Sequence, residues 1–144
     1  MIIAAFAGTG KTTLAAMYPE KVIDFICMPY KYYIPEDFSG IEHEAGKANP
    51  DLIMHEEWPS NYVDAIEEAI KLGKILLIPS VQRVRMLLRI RKIPYTLCYP
   101  KREAKEEYRQ RFFNRKNSEL FIQILGTTYL TPFLMISAIY IIGD

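Results

Sequence analysis

Residues 1–17 constrain the fold most. Ile2 to Phe6 form a short apolar run, Ala7-Gly8-Thr9-Gly10-Lys11-Thr12-Thr13 follows, and Leu14-Ala15-Ala16-Met17 comes next. A buried strand, a glycine turn and a helix in direct succession is an opening unit of α/β domains. The rest of the chain keeps that rhythm. Val22 to Cys27 is a second apolar run with one charge, Asp24, inside it. Ser60 to Leu72 has a helical period: Val63, Ile66 and Ile70 share a face with Ala69, and Asp64, Glu67, Glu68 and Lys71 lie away from it. Gly73 stands where a left-handed C-terminal residue belongs. Ile75 to Ile78 is continuously apolar, as in a strand covered on both faces. Residues 81–93 return to a helical period through Val84, Leu87 and Leu88, and Pro94 stops it. Tyr95 to Tyr99 reads as a fourth strand, 101–117 as a charged helix and 118–125 as further helix. Pro29, Pro35, Gly40, Gly46 and Pro50 break residues 28–57 into one long loop, of a kind that is usually functional or mobile. Strands alternating with helices at this spacing predict a single α/β domain over 1–144 with a mostly parallel sheet.

Composition narrows the function classes. The chain has 144 residues, 50% of them hydrophobic and 24% charged, which excludes a disordered or collagen-like chain. The formal net charge of +1 gives no whole-molecule field for nucleic acid or an anionic membrane. That average conceals an asymmetry. Residues 1–80 carry a net −6, residues 81–116 a net +9 and residues 117–144 a net −2. The basic third serves anionic ligands or pairs with the acidic part. Cys27 and Cys98 lie far apart in apolar runs, and His43 and His55 have no Cys or His neighbour. This spacing predicts neither a disulfide framework nor a zinc site. Buried free thiols in a reducing cytoplasm are the expectation, and Met1 to Ala7 lacks the basic start of a signal peptide.

The specific motif is Gly8-Thr9-Gly10-Lys11-Thr12. Glycine permits positive φ and lets backbone N–H groups approach a phosphate. The helix that starts there adds its positive end. In such a loop the lysine reaches the β- and γ-phosphates of a nucleotide, and the hydroxyl after it is a ligand for Mg²⁺. Gly8, Thr9, Gly10, Lys11, Thr12 and Thr13 are therefore the candidate nucleotide-binding residues, with Thr12 a candidate metal ligand. The full pattern asks for glycine three residues before Gly8, where this chain has Ala5.

Phe6-Ala7-Gly8-Thr9-Gly10-Lys11-Thr12-Thr13 resembles the Walker A loop of P-loop kinases of the nucleoside-monophosphate and shikimate kinase group. Pro94 to Pro100, followed by Glu106-Glu107-Tyr108 and by Arg111 and Arg115, resembles small kinase-like P-loop proteins of phages and Gram-positive bacteria. Together the resemblance covers about residues 2–125. It implies a three-layer P-loop NTPase fold with strand order 2-3-1-4-5, and ATP and Mg²⁺ as cofactors. It also implies phosphoryl transfer to a nucleotide or similar small acceptor. In that group a carboxylate at the end of the second strand helps hold metal or accepts the acceptor's hydroxyl proton, which makes Asp24 a candidate catalytic and metal residue. A lid after the fourth strand clamps phosphates with arginines, and a guanidinium fork suits phosphate oxygens. Arg111 and Arg115, at i, i+4, are the candidates there beside Lys11, with Arg109 behind them.

Other features pull the reading in several directions. The third strand ends in Pro79-Ser80, with no Walker B carboxylate. Ser80 with water, or Asp24, holds the metal; otherwise the protein is a non-catalytic nucleotide-binding accessory protein, of a phage type. Arg83, Arg85, Arg89 and Arg91 scatter around their helix without interleaved aromatics, which favours a solvated face over single-strand binding. Tyr30, Tyr32 and Tyr33 either stack on an acceptor ring or tuck their loop onto the core. No base-reading Asn-Lys-x-Asp motif separates ATP from GTP. Residues 120–142 are uncharged and long enough to span a bilayer, yet Gln123, Thr127, Thr128, Thr131 and Pro132 argue for a buried segment with a turn and a fifth strand or helix at 133–142.

Overall fold

The computed structural model describes residues 1–34 and 52–115, together with Glu119, Ile122 and Gln123. Four strands, β1 (Ile2–Ala5), β2 (Val22–Asp24), β3 (Ile75–Pro79) and β4 (Thr96–Cys98), form one sheet in the order β2-β3-β1-β4. All pairs are parallel: Ile2 is opposite Leu76, Ile3 opposite Thr96, and Asp24 opposite Leu77. The order agrees with the first four places of the expected 2-3-1-4-5; a fifth strand at 133–142 lies outside the described residues. The helices are α1 (Lys11–Met17), α2 (Met28–Lys31), α3 (Ser60–Ile70), α4 (Gln82–Ile90) and α5 (Lys105–Asn114).

The pleat decides which face each element covers, because alternate strand residues point to opposite sides. Ile2, Ala4, Leu76 and Ile78 form the main core with Tyr62, Val63, Ile66 and Ala69 of α3 and Val84 and Leu88 of α4. The helical period read from Ser60 and from Val81 is used as expected at Val63, Ile66, Ala69, Val84 and Leu88, but Ile70, the last residue of α3, is exposed, and Tyr62 takes a buried place on that face instead. Ile23 joins this core, so its neighbour Asp24 points to the opposite face, where α1 lies against β2. The result is a parallel α/β sheet with helices on both faces, compatible with three layers. Leu76, Leu77 and Ile78 are all buried, which is why β3 reads as an unbroken apolar run.

Several boundaries differ from the sequence expectation. The second strand ends at Asp24, because Ile26 N–H turns back to the Asp24 carbonyl at 3.2 Å and α2 begins at Met28. Pro29 does not break structure here. It occupies the first turn of α2, where its missing N–H costs nothing. The base of the expected long loop is ordered by an antiparallel bridge between Tyr32 and Met54. The charged helix is preceded by a 3₁₀ turn, Arg102–Ala104, and α5 ends at Asn114. Cys27 is buried as expected, and burial raises its thiol pKa. Cys98 is exposed: it ends the short strand β4 on the face opposite the main core. Gly73 takes the left-handed conformation, φ 69°. No helix among the described residues is long and apolar enough to cross a membrane. Of the uncharged segment 120–142, only Ile122 and Gln123 are described.

Tyr62 ties α3 to the end of β2. Its ring is fully buried among Phe25, Tyr30 and Trp58, with centroids 5.5, 5.2 and 5.7 Å away, and its hydroxyl donates to the Phe25 carbonyl. Burial pushes the phenol pKa up, so it stays a donor. Tyr62→Phe is expected to cost about 1 kcal/mol or somewhat more, the loss of a half-buried carbonyl's partner, read as a lower denaturant midpoint at unchanged slope. An unchanged midpoint would show that this hydrogen bond contributes nothing.

Candidate functional site: the glycine loop at the end of the first strand

Both neighbours of β1 hold the point where the chain leaves the sheet. Ser80 N–H donates to the Ala5 carbonyl at 3.1 Å and Phe6 N–H to the Cys98 carbonyl at 3.0 Å. The loop that follows turns on two left-handed glycines, Gly8 at φ 76° and Gly10 at φ 87°. From Ala7 to Thr13 the backbone N–H groups find no acceptor among the described residues. The next amide, Leu14, donates to the Gly10 carbonyl at 2.9 Å and begins the intrahelical pattern of α1. The loop is thus a run of backbone donors without acceptors among the described residues, turned by two left-handed glycines, the kind of backbone that binds anions.

Its side chains are turned inward on the same loop. Thr9 Oγ1 donates to the Phe6 carbonyl at 2.8 Å, and Lys11 Nζ to the same carbonyl at 3.0 Å and to Ala5 at 3.3 Å. Burial lowers the Lys11 pKa below the ordinary lysine value; Asp24 opposes that shift, and the Arg115 charge adds to it. A cation held this way gains from an anion arriving beside it.

Thr12 and Asp24 meet across α1 and β2: Thr12 Oγ1 donates to Asp24 Oδ2 at 2.6 Å. Asp24 Oδ1 is buried and has no hydrogen-bond partner among the described residues. A hydroxyl and a carboxylate are hard oxygen donors, and a buried carboxylate oxygen with no protein partner fits a magnesium ion or its water. No group of three or more His, Cys, Asp or Glu side chains able to hold a metal occurs among the described residues, so this pair is a partial ligand set. The end of β3 adds only Pro79 and Ser80, as the sequence shows.

The arginines after β4 are not equivalent. Arg111 Nη1 donates to the Gly8 carbonyl at 3.2 Å and Nη2 to Glu107 Oε1 at 2.5 Å, and its guanidinium lies 4.9 Å from the Tyr108 ring centroid. Arg115 makes no side-chain hydrogen bond or ion pair among the described residues, and its charge reaches Lys11. Arg109 pairs with Glu106 at 3.6 Å on the exposed side of α5. Arg91 bridges Asp64 and Glu67 of α3, so part of the basic third pairs with the acidic part. Tyr32 is buried and Tyr30 packs against the main core, which favours the tucked-loop reading for these two, whereas Tyr33 is exposed with its ring 3.7 Å from that of His55.

Sequence reasoning missed the wall behind the loop. Phe6, Tyr108 and Phe112 form a second small core, and a Cβ on Gly8 would stand 2.9 Å from Phe112 and 3.4 Å from Tyr108. The signal was Tyr108 and Phe112 at i, i+4 on a helix that is otherwise polar apart from the exposed Phe113. No protein-family model, no curated protein and no solved structure matches the chain.

Proposed function

We propose that the chain is a P-loop nucleoside-triphosphate-binding domain that transfers the γ-phosphoryl group of ATP to a small acceptor, with a nucleotide as the first acceptor class. The observation that carries this reading is the loop itself: from Ala7 to Thr13 its backbone donors have no acceptor among the described residues, Gly8 and Gly10 are left-handed, and the Lys11 ammonium is held on the carbonyls that open the loop. Those amides hold the phosphate chain, and Lys11 supplies charge to its outer oxygens. Thr12 and Asp24 would hold Mg²⁺, which when bound neutralises phosphate charge. Asp24 orients that metal or the acceptor hydroxyl. Arg115, with no competing carboxylate among the described residues, supplies positive charge to the transferred group; Arg111 belongs to the same site through the loop.

A second reading, a nucleotide-binding protein without turnover, is favoured by one observation: β3 ends at Pro79 and Ser80 with no carboxylate. Release of ADP from ATP, measured across a panel of nucleoside and deoxynucleoside monophosphates with Mg²⁺, decides between them. Acceptor-dependent ADP release supports the kinase. Binding of ATP without it leaves the binding module, and no binding removes both.

A further inference from the structure

We propose that Arg111 is a positioning residue for the phosphate loop, acting on the Gly8–Thr9 peptide and not on the transferred phosphoryl group. The inference rests on the nucleotide-loop reading above. The Gly8 carbonyl accepts Arg111 Nη1 at 3.2 Å from the side of α5. A trans peptide is planar, with its C=O and the following N–H pointing in opposite directions. Fixing the Gly8 carbonyl toward α5 therefore fixes the Thr9 N–H away from it, and that N–H has no acceptor among the described residues. An arginine fork is suited to this: one arm takes Gly8, the other takes Glu107 at 2.5 Å, and the plane lies by Tyr108.

The helix is also in no position to travel as a lid without loss. Tyr108, Arg111 and Phe112 lie at i, i+3 and i+4 on one face of α5, and all three meet Gly8 or its carbonyl. Tyr108 and Phe112 are buried with Phe6. Swinging α5 would expose both aromatics and open the contact that only a glycine at position 8 allows. Arg111 thus works in place, and the cation left for the transferred group is Arg115, one turn further on and without an ion pair among the described residues.

The experiment is calorimetric affinity for ADP and for ATP, each with Mg²⁺ and no acceptor, in the wild type, Arg111→Ala and Arg111→Lys. The loop holds the phosphates common to both nucleotides, so Arg111→Ala is expected to weaken ADP and ATP by the same factor, about tenfold or more for one charge-assisted hydrogen bond. Arg111→Lys keeps the charge but cannot bridge Gly8 and Glu107, and is expected to show most of that loss. It should also shift the Thr9 amide resonance in the nucleotide-free protein, a signature that a general loss of stability would not confine to the loop. Unchanged ADP affinity with a selective loss of ATP would place Arg111 on the terminal phosphate and overturn the proposal. Full retention of affinity in Arg111→Lys, with an unmoved Thr9 amide, would do the same. A wild-type protein that binds neither nucleotide would overturn the nucleotide-loop reading and this inference with it, whereas nucleotide binding with either overturning result removes this inference alone.

Discussion

Lys11→Ala is expected to abolish measurable ATP binding while leaving the fold in place. Lys11 Nζ is the ammonium held against the loop carbonyls, and its burial makes the lost interaction stronger than that of an exposed lysine. Each hydrogen bond to a charged group contributes about 1.5–3 kcal/mol, so loss of contacts to two phosphates weakens binding by about a hundredfold or more. The structural cost is small for a specific reason. The two carbonyls that Lys11 Nζ bonds keep other donors: Ser80 N–H on Ala5, and the Thr9 hydroxyl on Phe6. No buried acceptor is stranded, and a partly desolvated charge disappears. Unfolding stability should therefore stay within about 1 kcal/mol of the wild type, near the range of substitutions that create no cavity and orphan no group. Isothermal titration with ATP and a denaturant melt of the same sample check both halves. Wild-type affinity in the variant would remove the phosphate loop from the functional reading. A collapsed melt would show that Lys11 is structural.

The parts of the fold legible in the sequence are those where one local signal decides the outcome. The apolar run Ile75 to Ile78 announces a strand covered on both faces, and the period of Val63, Ile66 and Ala69 announces a helix with one buried side. Gly8 and Gly10 announce a loop with positive φ. Each element settles its own conformation, so the alternation of strand and helix followed from the chain alone. The misread parts depend on partners distant in sequence. Whether Pro29 breaks or starts a helix depends on where β2 ends: its last bond to β3 is Phe25 N–H to the Leu77 carbonyl at 2.9 Å, and Ile26 N–H then turns back to Asp24. Cys98 looks buried in its run, but its register opposite Ala5 turns it to the face away from the main core, where it is exposed. Arg111 and Arg115 look like a matched pair by spacing. The pair is divided because Gly8, about a hundred residues earlier in the chain, offers its carbonyl to one of them only. The Thr12–Asp24 pair lies between these cases. Both residues were identifiable, but their meeting at 2.6 Å requires β2 to lie under α1 on the face away from the main core.

Asp24→Ala is expected to separate stability from function. In the ligand-free protein, Asp24 Oδ1 is buried without a partner among the described residues, and such a group costs about 1–3 kcal/mol in lost solvation. Its other oxygen holds only the Thr12 hydroxyl, which is exposed and can return to water. Against this, Lys11 loses the countercharge that opposes its desolvation. The two effects oppose each other, so the ligand-free variant should unfold within about 1 kcal/mol of the wild type. Removing one partner of a buried, mutually satisfied ion pair would instead cost about 3–5 kcal/mol. The functional effect has no such offset. A ligand that binds only the native state stabilises it by mass action, so the wild type should gain stability with ATP and Mg²⁺ together beyond that with ATP alone. The variant should lose that magnesium-dependent increment, because Thr12 alone is a weak ligand. Acceptor-dependent turnover, where the wild type has it, should fall by about two orders of magnitude or more, as expected when a group that orients charge in phosphoryl transfer is lost. Denaturant melts of both proteins with and without MgCl₂ and ATP give the answer. A loss of several kcal/mol in the ligand-free variant would make Asp24 a structural partner of Thr12 and Lys11. A magnesium increment that survives the substitution would move the metal to other oxygens and leave Asp24 with the acceptor.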